Sequence, residues 1–419
     1  MPDTITDAGV ARLRQRIGVA HPHTNPPHFL VPNEDAFRHV AQAYGDDNPL
    51  WCDPGYGATT RWGGPIASPH LVGGDTLIGE DEVTKLEGET RELMKGDPLR
   101  GVHAFYSGSF REWWSPLRPG THVARRNALV GVHDKDGDFA GRAVHEWSAE
   151  VFAAVGGPLL SGQYRLMIRA ERDEATSRKA NEAVEIEPYT DDEIALMDKA
   201  LAGEAGRRRG AEPRWWEDLS EGDEVDPLVK GPMRVTDMVV WHTGMGMGLY
   251  GVAALRLGYQ QRQRMPRFFK PDALNVPDVQ QRVHWDAEWA QRAGNPAPYD
   301  YGRMRETWLI HLCTDWMGDD AWLWKLDCQF RKFNYVGDTH WMRGRIVRKY
   351  LTDSGRPAVD LDIWGENQRG ETTTPGHASI LLPSREHGPV ELPTPPGGAR
   401  TCQEALDALA ERFAAEESS

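Results

Sequence analysis

EDAFRHVAQAYGDDNPLWCDPGYGATTRWGGPIASP (34–69) is the stretch on which the reading of this 419-residue chain turns. Phe37, Val40, Ala41 and Tyr44 recur at helical spacing, so the segment opens as an amphipathic helix. Gly45 stops it. Asp46, Asn48 and Pro49 then make a tight turn in which short polar side chains bond the backbone. A helix stop followed by such a turn accounts for GDDNP taken alone.

The wider chain reads as two similar halves. In the first, RPGTHV (118–123) precedes an alternating strand, and VHEWSAEVFAAVGGPLLSGQYRLMI (144–168) follows as strand, glycine turn, strand. In the second, VGDTHW (336–341) precedes RGRIVRKYL, and VDLDIWGENQRGETTTPGHASILL (359–382) repeats the plan. Alternation with period two around glycine turns specifies antiparallel hairpins. A helical segment ahead of each set of strands makes the class α+β rather than a doubly wound parallel sheet. The expected divisions are a first domain over 1–175, a charged linker over 176–213, a second domain over 214–390, and a Pro/Gly tether with a C-terminal helix over 391–419. Within the linker, Thr190 or Asp191 caps a short helix running to Leu201, and Arg207–Arg209 reads as a solvated face. In the tail, Ala405, Leu406, Leu409 and Phe413 share one helical face, which predicts docking.

Taken whole, residues 34–69 resemble the overhang motif of the MaoC-like (R)-specific enoyl-CoA hydratases. Gly45, Asp46, Asn48, Pro49, Asp53, Pro65 and Ile66 match, with Tyr56 near the aromatic position. Two positions depart: Trp51 stands where that family has its catalytic histidine, and Pro69 where it has a glycine opening the buried helix. In the second half, RVHWDAEWA (282–290) resembles the end of the same motif, with His284 at the histidine position and Asp286 at its trailing aspartate. PYDYGRMRETWLIHLCTDW (298–316) resembles the start of the central helix, with Gly302 at the oxyanion position and Tyr301 beside it. No Asp or Glu lies between Asp237 and Asp272, so Asp278 is the nearest replacement for the missing acid.

The resemblance implies a tandem (double) hot-dog fold, each half an antiparallel sheet wrapped around a central helix, with a type I fatty acid synthase-like dehydratase first half. It implies a pseudo-dimer with joined sheets and a hydro-lyase adding water to a 2-enoyl-CoA. His284, Gly302, Asp278 and Asp46 are its catalytic candidates; Asn48, Trp51, Asp286 and Tyr301 are its substrate-binding candidates. Asp46 is expected to be a relic, the working site lying in the second half. The alternatives are an acyl-thioester-binding subunit completed by a partner chain, and a hot-dog thioesterase. The acyl-CoA is substrate, and no separate cofactor is expected.

Composition sets bounds. Lys+Arg 48 against Asp+Glu 63 gives −15, which disfavours nucleic acid and anionic membrane as partners. No apolar run reaches the roughly 20 residues of a membrane span, and the N-terminus lacks a signal-like core, so a cytoplasmic protein that assembles as a homo-oligomer, or alternatively a hetero-oligomer, is the expectation. Cys52, Cys313, Cys328 and Cys402 form no CxxC pair, and His21, His23 and His28 read as loop, so no metal site is expected. His242 reads as a core or pocket-wall residue. GMGMG (244–248) follows no clear strand, which makes a nucleotide loop a weak reading. The 16 tryptophans suggest aromatic walls and a bulky acyl group.

Overall fold

The computed structural model describes residues 4–23, 26–73, 78–137, 141–171, 187–246, 255–293 and 295–417. The first half contains helices α1 (Asp7–Arg14), α2 (Glu34–Gln42), α3 (Pro49–Cys52), α4 (Pro54–Thr59) and α5 (Gly88–Leu93). Its strands are β1 (Glu80–Asp81), β2 (His103–Trp113), β3 (Val123–Gly137), β4 (Gly141–Ala154) and β5 (Leu159–Ala170). Helices α6 (Asp191–Ala202) and α7 (Glu204–Arg207) belong to the connection. The second half follows with β6 (Glu224–Lys230), α8 (Val235–Met245), α9 (Arg256–Arg264), β7 (Phe269–Pro271), β8 (Pro277–Val279) and α10 (Ala287–Arg292). It continues through α11 (Gly302–Met317), β9 (Trp322–Gln329), β10 (His340–Leu351), β11 (Pro357–Asn367) and β12 (Thr372–Leu381). Helix α12 (Cys402–Glu417) closes the chain.

Ten strands form one sheet in the order β1-β3-β4-β5-β2-β9-β12-β11-β10-β6. The halves meet where β2 pairs antiparallel with β9, from Gly108 opposite Gln329 to Glu112 opposite Lys325. The joined sheet of a pseudo-dimer is therefore present. Pro227 is accommodated because β6 is an edge strand. The expected hairpins are β4–β5 and β11–β12, turning at Gly156 (φ 70°) and Gly370 (φ 71°).

The halves are unequal inside. Helix α11 is buried along its length in the second half. The first half has no counterpart among the described residues: Pro69 opens a single 3₁₀ turn, Pro69–Leu71. Gly73, at φ 94°, breaks the chain away just after it. The helix expected to begin at Pro69 is thus replaced by a turn, and the first half is filled instead from the segment 34–72. Phe37, Val40, Leu50, Trp51 and Leu71 join the same apolar core as Trp308, Leu309 and Leu312 of α11.

The connecting segment is partly as expected. Thr190 makes a capping box with Glu193 at the start of α6; residues 176–186 of the linker lie outside those described. The reading of Arg207–Arg209 as a solvated face needs correction. The Arg208 guanidinium is largely buried, its Nε 2.8 Å from Asp315 on α11. A sequence rich in acids hid this, because the partner is about a hundred residues away. Helix α12 docks on β3 and β4 through Ala405, Leu406, Leu409 and Phe413. Gly131 makes room for it: a Cβ there would sit 2.4 Å from the Phe413 ring.

Helix α11 carries Arg303, Arg305, Glu306, His311 and Asp315 into the interior, all of them buried. Such groups need partners. Glu306 receives a bidentate pair from Arg111 of β2, at 2.7 and 2.6 Å, and a hydrogen bond from Ser109. This pair ties the second half's helix to the first half's sheet. Arg111→Leu is expected to destabilise the fold by about 3–5 kcal/mol, because it leaves the Glu306 carboxylate uncompensated. Arg111→Leu combined with Glu306→Leu should recover most of that loss in urea unfolding. A single variant within about 1 kcal/mol of wild type would show that the pair does not organise the interior.

Candidate active site

A cleft of about 2200 Å³ opens at the N-terminus of α11. Its wall is built by both halves: β2 and β5 on one side, β9, the start of α11 and the segment 264–299 on the other. His284, Tyr301 and Gly302 all line it. The structure therefore brings together the second-half residues that the sequence separated by sixteen or more positions.

His284 ends a short 3₁₀ turn, Gln280–His284. Its Nδ1 lies 2.8 Å from the Tyr299 carbonyl oxygen. A carbonyl only accepts, so Nδ1 carries the hydrogen and the Nε2 lone pair remains the basic site. Burial holds the imidazole down at about 4, against the opposing pull of backbone carbonyls, so the ring is neutral near pH 7. The Tyr301 ring lies beside it, 3.9 Å between centroids, and stacks in turn on Trp241 at 5.7 Å. His242 meets the other part of Tyr301 at 4.4 Å, consistent with the wall role expected of it.

Tyr301 is the N-cap residue of α11 and gives no side-chain cap. The first-turn amides of a helix lack intrahelical acceptors, and the helix dipole favours negative charge there. Gly302 opens this turn with Phe330 packed against it; a Cβ at 302 would sit 3.1 Å from the Phe330 ring. Glycine here keeps both the backbone approach and the Phe330 wall.

The carboxyl group on this wall was not anticipated. It is Asp300, immediately before Tyr301, and it lines the cleft. Arg305 Nε at 2.9 Å and Asn334 Nδ2 at 3.0 Å hold its Oδ2. Oδ1 has no hydrogen-bond partner, and burial pushes the group up to about 6 despite Arg305. The signal was in PYDYG: an acid directly ahead of a helix whose first residue was already suspected.

Asp278 and Asp286 are placed elsewhere. Asp278 accepts from the Val279 amide at 2.7 Å and faces Arg282 at 4.0 Å, and it does not line the cleft. Asp286 is the N-cap of α10, accepting from the Trp289 amide at 2.9 Å. Their role in the local geometry is to fix the turn that carries His284.

The first-half residues form a separate, filled site. Asp46 has no exposed surface. It accepts from Tyr44 Oη (3.1 Å), the Asn48 amide (2.9 Å) and Trp51 Nε1 (2.9 Å). The indole of Trp51 thus bonds to the aspartate from the position at which the resemblance puts a histidine. Asn48 caps α3 through the Leu50 amide. Asp46 also faces His311 of α11, Oδ1 to Nε2 3.5 Å. None of Asp46, Asn48 and Trp51 lines the large cleft.

No family model and no curated protein matches the sequence. Solved structures do resemble the fold. One described as a MaoC-like dehydratase aligns with a TM-score of 0.57 at 15% identity, covering 88% of this chain and 99% of its own. A conserved hypothetical protein of Mycobacterium tuberculosis, described as having a double hotdog fold, aligns with a TM-score of 0.50 at 12% identity, covering 87% and 96%. The likeness runs over nearly nine-tenths of the chain, and the chain is a double hot-dog protein with the architecture of the MaoC-like dehydratases.

Proposed function

We propose that the protein is a hydro-lyase acting on an acyl-CoA, adding water reversibly across a 2-enoyl thioester to give a 3-hydroxyacyl-CoA. The observation that carries this reading is the pairing of a neutral His284 with an uncapped helix N-terminus on one cleft wall. His284 Nε2 takes a proton from water as the oxygen bonds to C3. Electron density moves to the thioester oxygen, where the Gly302 end of α11 offers amides and a positive dipole. Asp300, with its raised pKa, gives its proton to C2, and the proton taken up by His284 then restores the Asp300 carboxyl. One water is consumed and no redox change occurs.

The charge of the cleft supports a CoA substrate. The whole chain carries −15, yet nine Lys or Arg line the cleft against four Asp or Glu. Arg264, Arg267, Lys270, Arg331 and Lys332 are among them, an excess of positive charge suited to a polyanionic phosphate carrier. Aromatic residues Tyr106, Trp289, Tyr299, Phe330 and Phe333 supply apolar wall for a bulky acyl group. No helix among the described residues is long and apolar enough to cross a membrane.

Incubation of the full chain with aliphatic, aromatic and steroid-like 2-enoyl-CoA thioesters should yield a product heavier by one water. Release of free CoA from a saturated acyl-CoA instead would select a thioesterase, and no turnover of either substrate would favour a binding subunit. His284→Ala should lower kcat by about 10²–10⁴-fold with the fold intact by circular dichroism. Wild-type turnover in that variant would remove His284 from the mechanism.

The pH profile separates the two groups. His284 must be unprotonated, which holds above about 4, and Asp300 protonated, which holds below about 6. For hydration, kcat/KM is therefore expected to fall on both sides of this window. Asp300→Asn should lower the rate by about 10²-fold or more and abolish the alkaline limb, whereas Asp278→Asn should stay within about threefold of wild type. An alkaline limb unchanged in Asp300→Asn would assign the acid elsewhere.

A further inference from the structure

Helix α11 turns a second set of polar side chains away from the cleft, toward the first half. His311 has no exposed surface, and no hydrogen bond reaches its Nε2. That nitrogen faces three carboxylate oxygens: Asp315 Oδ2 at 3.4 Å, Asp46 Oδ1 at 3.5 Å and Glu204 Oε1 at 3.6 Å. Asp315 Oδ2 is likewise buried without a hydrogen-bond partner.

These spacings are too long for good hydrogen bonds and too convergent for unrelated groups. They match the edges of a coordination shell: metal–ligand bonds of about 2.0–2.2 Å put tetrahedral neighbours roughly 3.3–3.6 Å apart. Donor atoms of Asp46, His311 and Asp315 all lie within 4.8 Å of one another. The surroundings already fix them. Arg208 Nε holds the other oxygen of Asp315 at 2.8 Å, and Tyr44 and Trp51 hold Oδ2 of Asp46. Lys230 Nζ stands 2.8 Å from His311 Nδ1 and 3.8 Å from Glu204. Arg208, Tyr44 and Trp51 are fixed outer donors of the kind that orient a ligand set.

The formal charge points the same way. Asp46, Glu204 and Asp315 contribute three negative charges. Arg208 contributes one positive charge. Nε2 is open to a metal only when the ring hydrogen sits on Nδ1, and the Lys230 nitrogen 2.8 Å away then accepts it as a neutral amine. Two negative charges are then left over in a buried place, which is costly unless a cation meets them.

We propose that Asp46, His311 and Asp315 bind a divalent transition metal such as zinc, with Glu204 beside the fourth position. This departs from the expectation of no metal site. The spacing signal was His311 and Asp315 at i and i+4 on one helix, but the third ligand comes from the other half, 265 residues away, where no local motif reveals it. The ion staples the first-half turn, the connecting helix α7 and the central helix. It leaves the cleft chemistry to other residues and does not depend on the hydro-lyase reading.

The test uses the full chain, stripped with chelator and titrated with cobalt(II) as a zinc substitute. Expected are saturation at one ion per chain, visible d–d absorption of low-symmetry coordination, and a higher melting temperature with zinc. X-ray absorption of the loaded protein should show one imidazole in a nitrogen/oxygen shell at about 2.0–2.2 Å. His311→Gln and Asp315→Asn should each weaken binding about 100-fold or more, while Asp47→Asn, at the exposed rim, should not. Failure of the wild type to take up metal, two or more imidazoles in the shell, or undiminished binding in both ligand variants would each overturn the proposal.

Discussion

Arg111 and Glu306 meet in a bidentate pair with essentially no exposure of either. The contact lies where a strand of the first half approaches the helix of the second. A charge so placed tolerates its position only while its partner is fixed. The β2–β9 seam and the depth of α11 are therefore set together. That depth in turn decides what each end of the helix can do. Its N-terminus meets the cleft, and its C-terminal half turns His311 and Asp315 toward Asp46.

The asymmetry between the halves follows from the same arrangement. Pro69 opens only a 3₁₀ turn, so among the described residues the first half has no counterpart to the N-terminus of α11. Its aspartate accepts from Tyr44, Asn48 and Trp51 and has no exposed surface. The second half has the buried helix, and His284 and Asp300 both line the cleft at its start. The cleft is also where the acidic chain gathers its basic side chains, a distribution invisible in the net charge.

Much of the fold was legible because it is written in local terms. Alternating strands with Gly156 and Gly370 at their turns, the Thr190 cap and the Leu409–Phe413 face each need only neighbouring residues to be read. His284, Tyr301 and Gly302 came from a resemblance over short motifs, and the structure sets them on one wall. What was not legible depends on distance along the chain. Asp278 looked suitable because it is six residues from His284, yet β7–β8 pairing and Arg282 hold it off the cleft. Asp300, Arg208 and the Asp46–His311 contact are meaningful only once helix α11 is in place, since their partners lie in other elements.

The most direct test of the account is a crystal structure of the full chain with an unreactive thioether analogue of a 2-enoyl-CoA. The predicted result places the carbonyl-equivalent oxygen at about 3 Å from the amides that open α11 and the reacting carbons beside His284 Nε2, with the phosphates among Arg264, Arg267 and Lys270. An analogue seated instead beside Asp46 and Trp51, with the α11 cleft vacant, would contradict it.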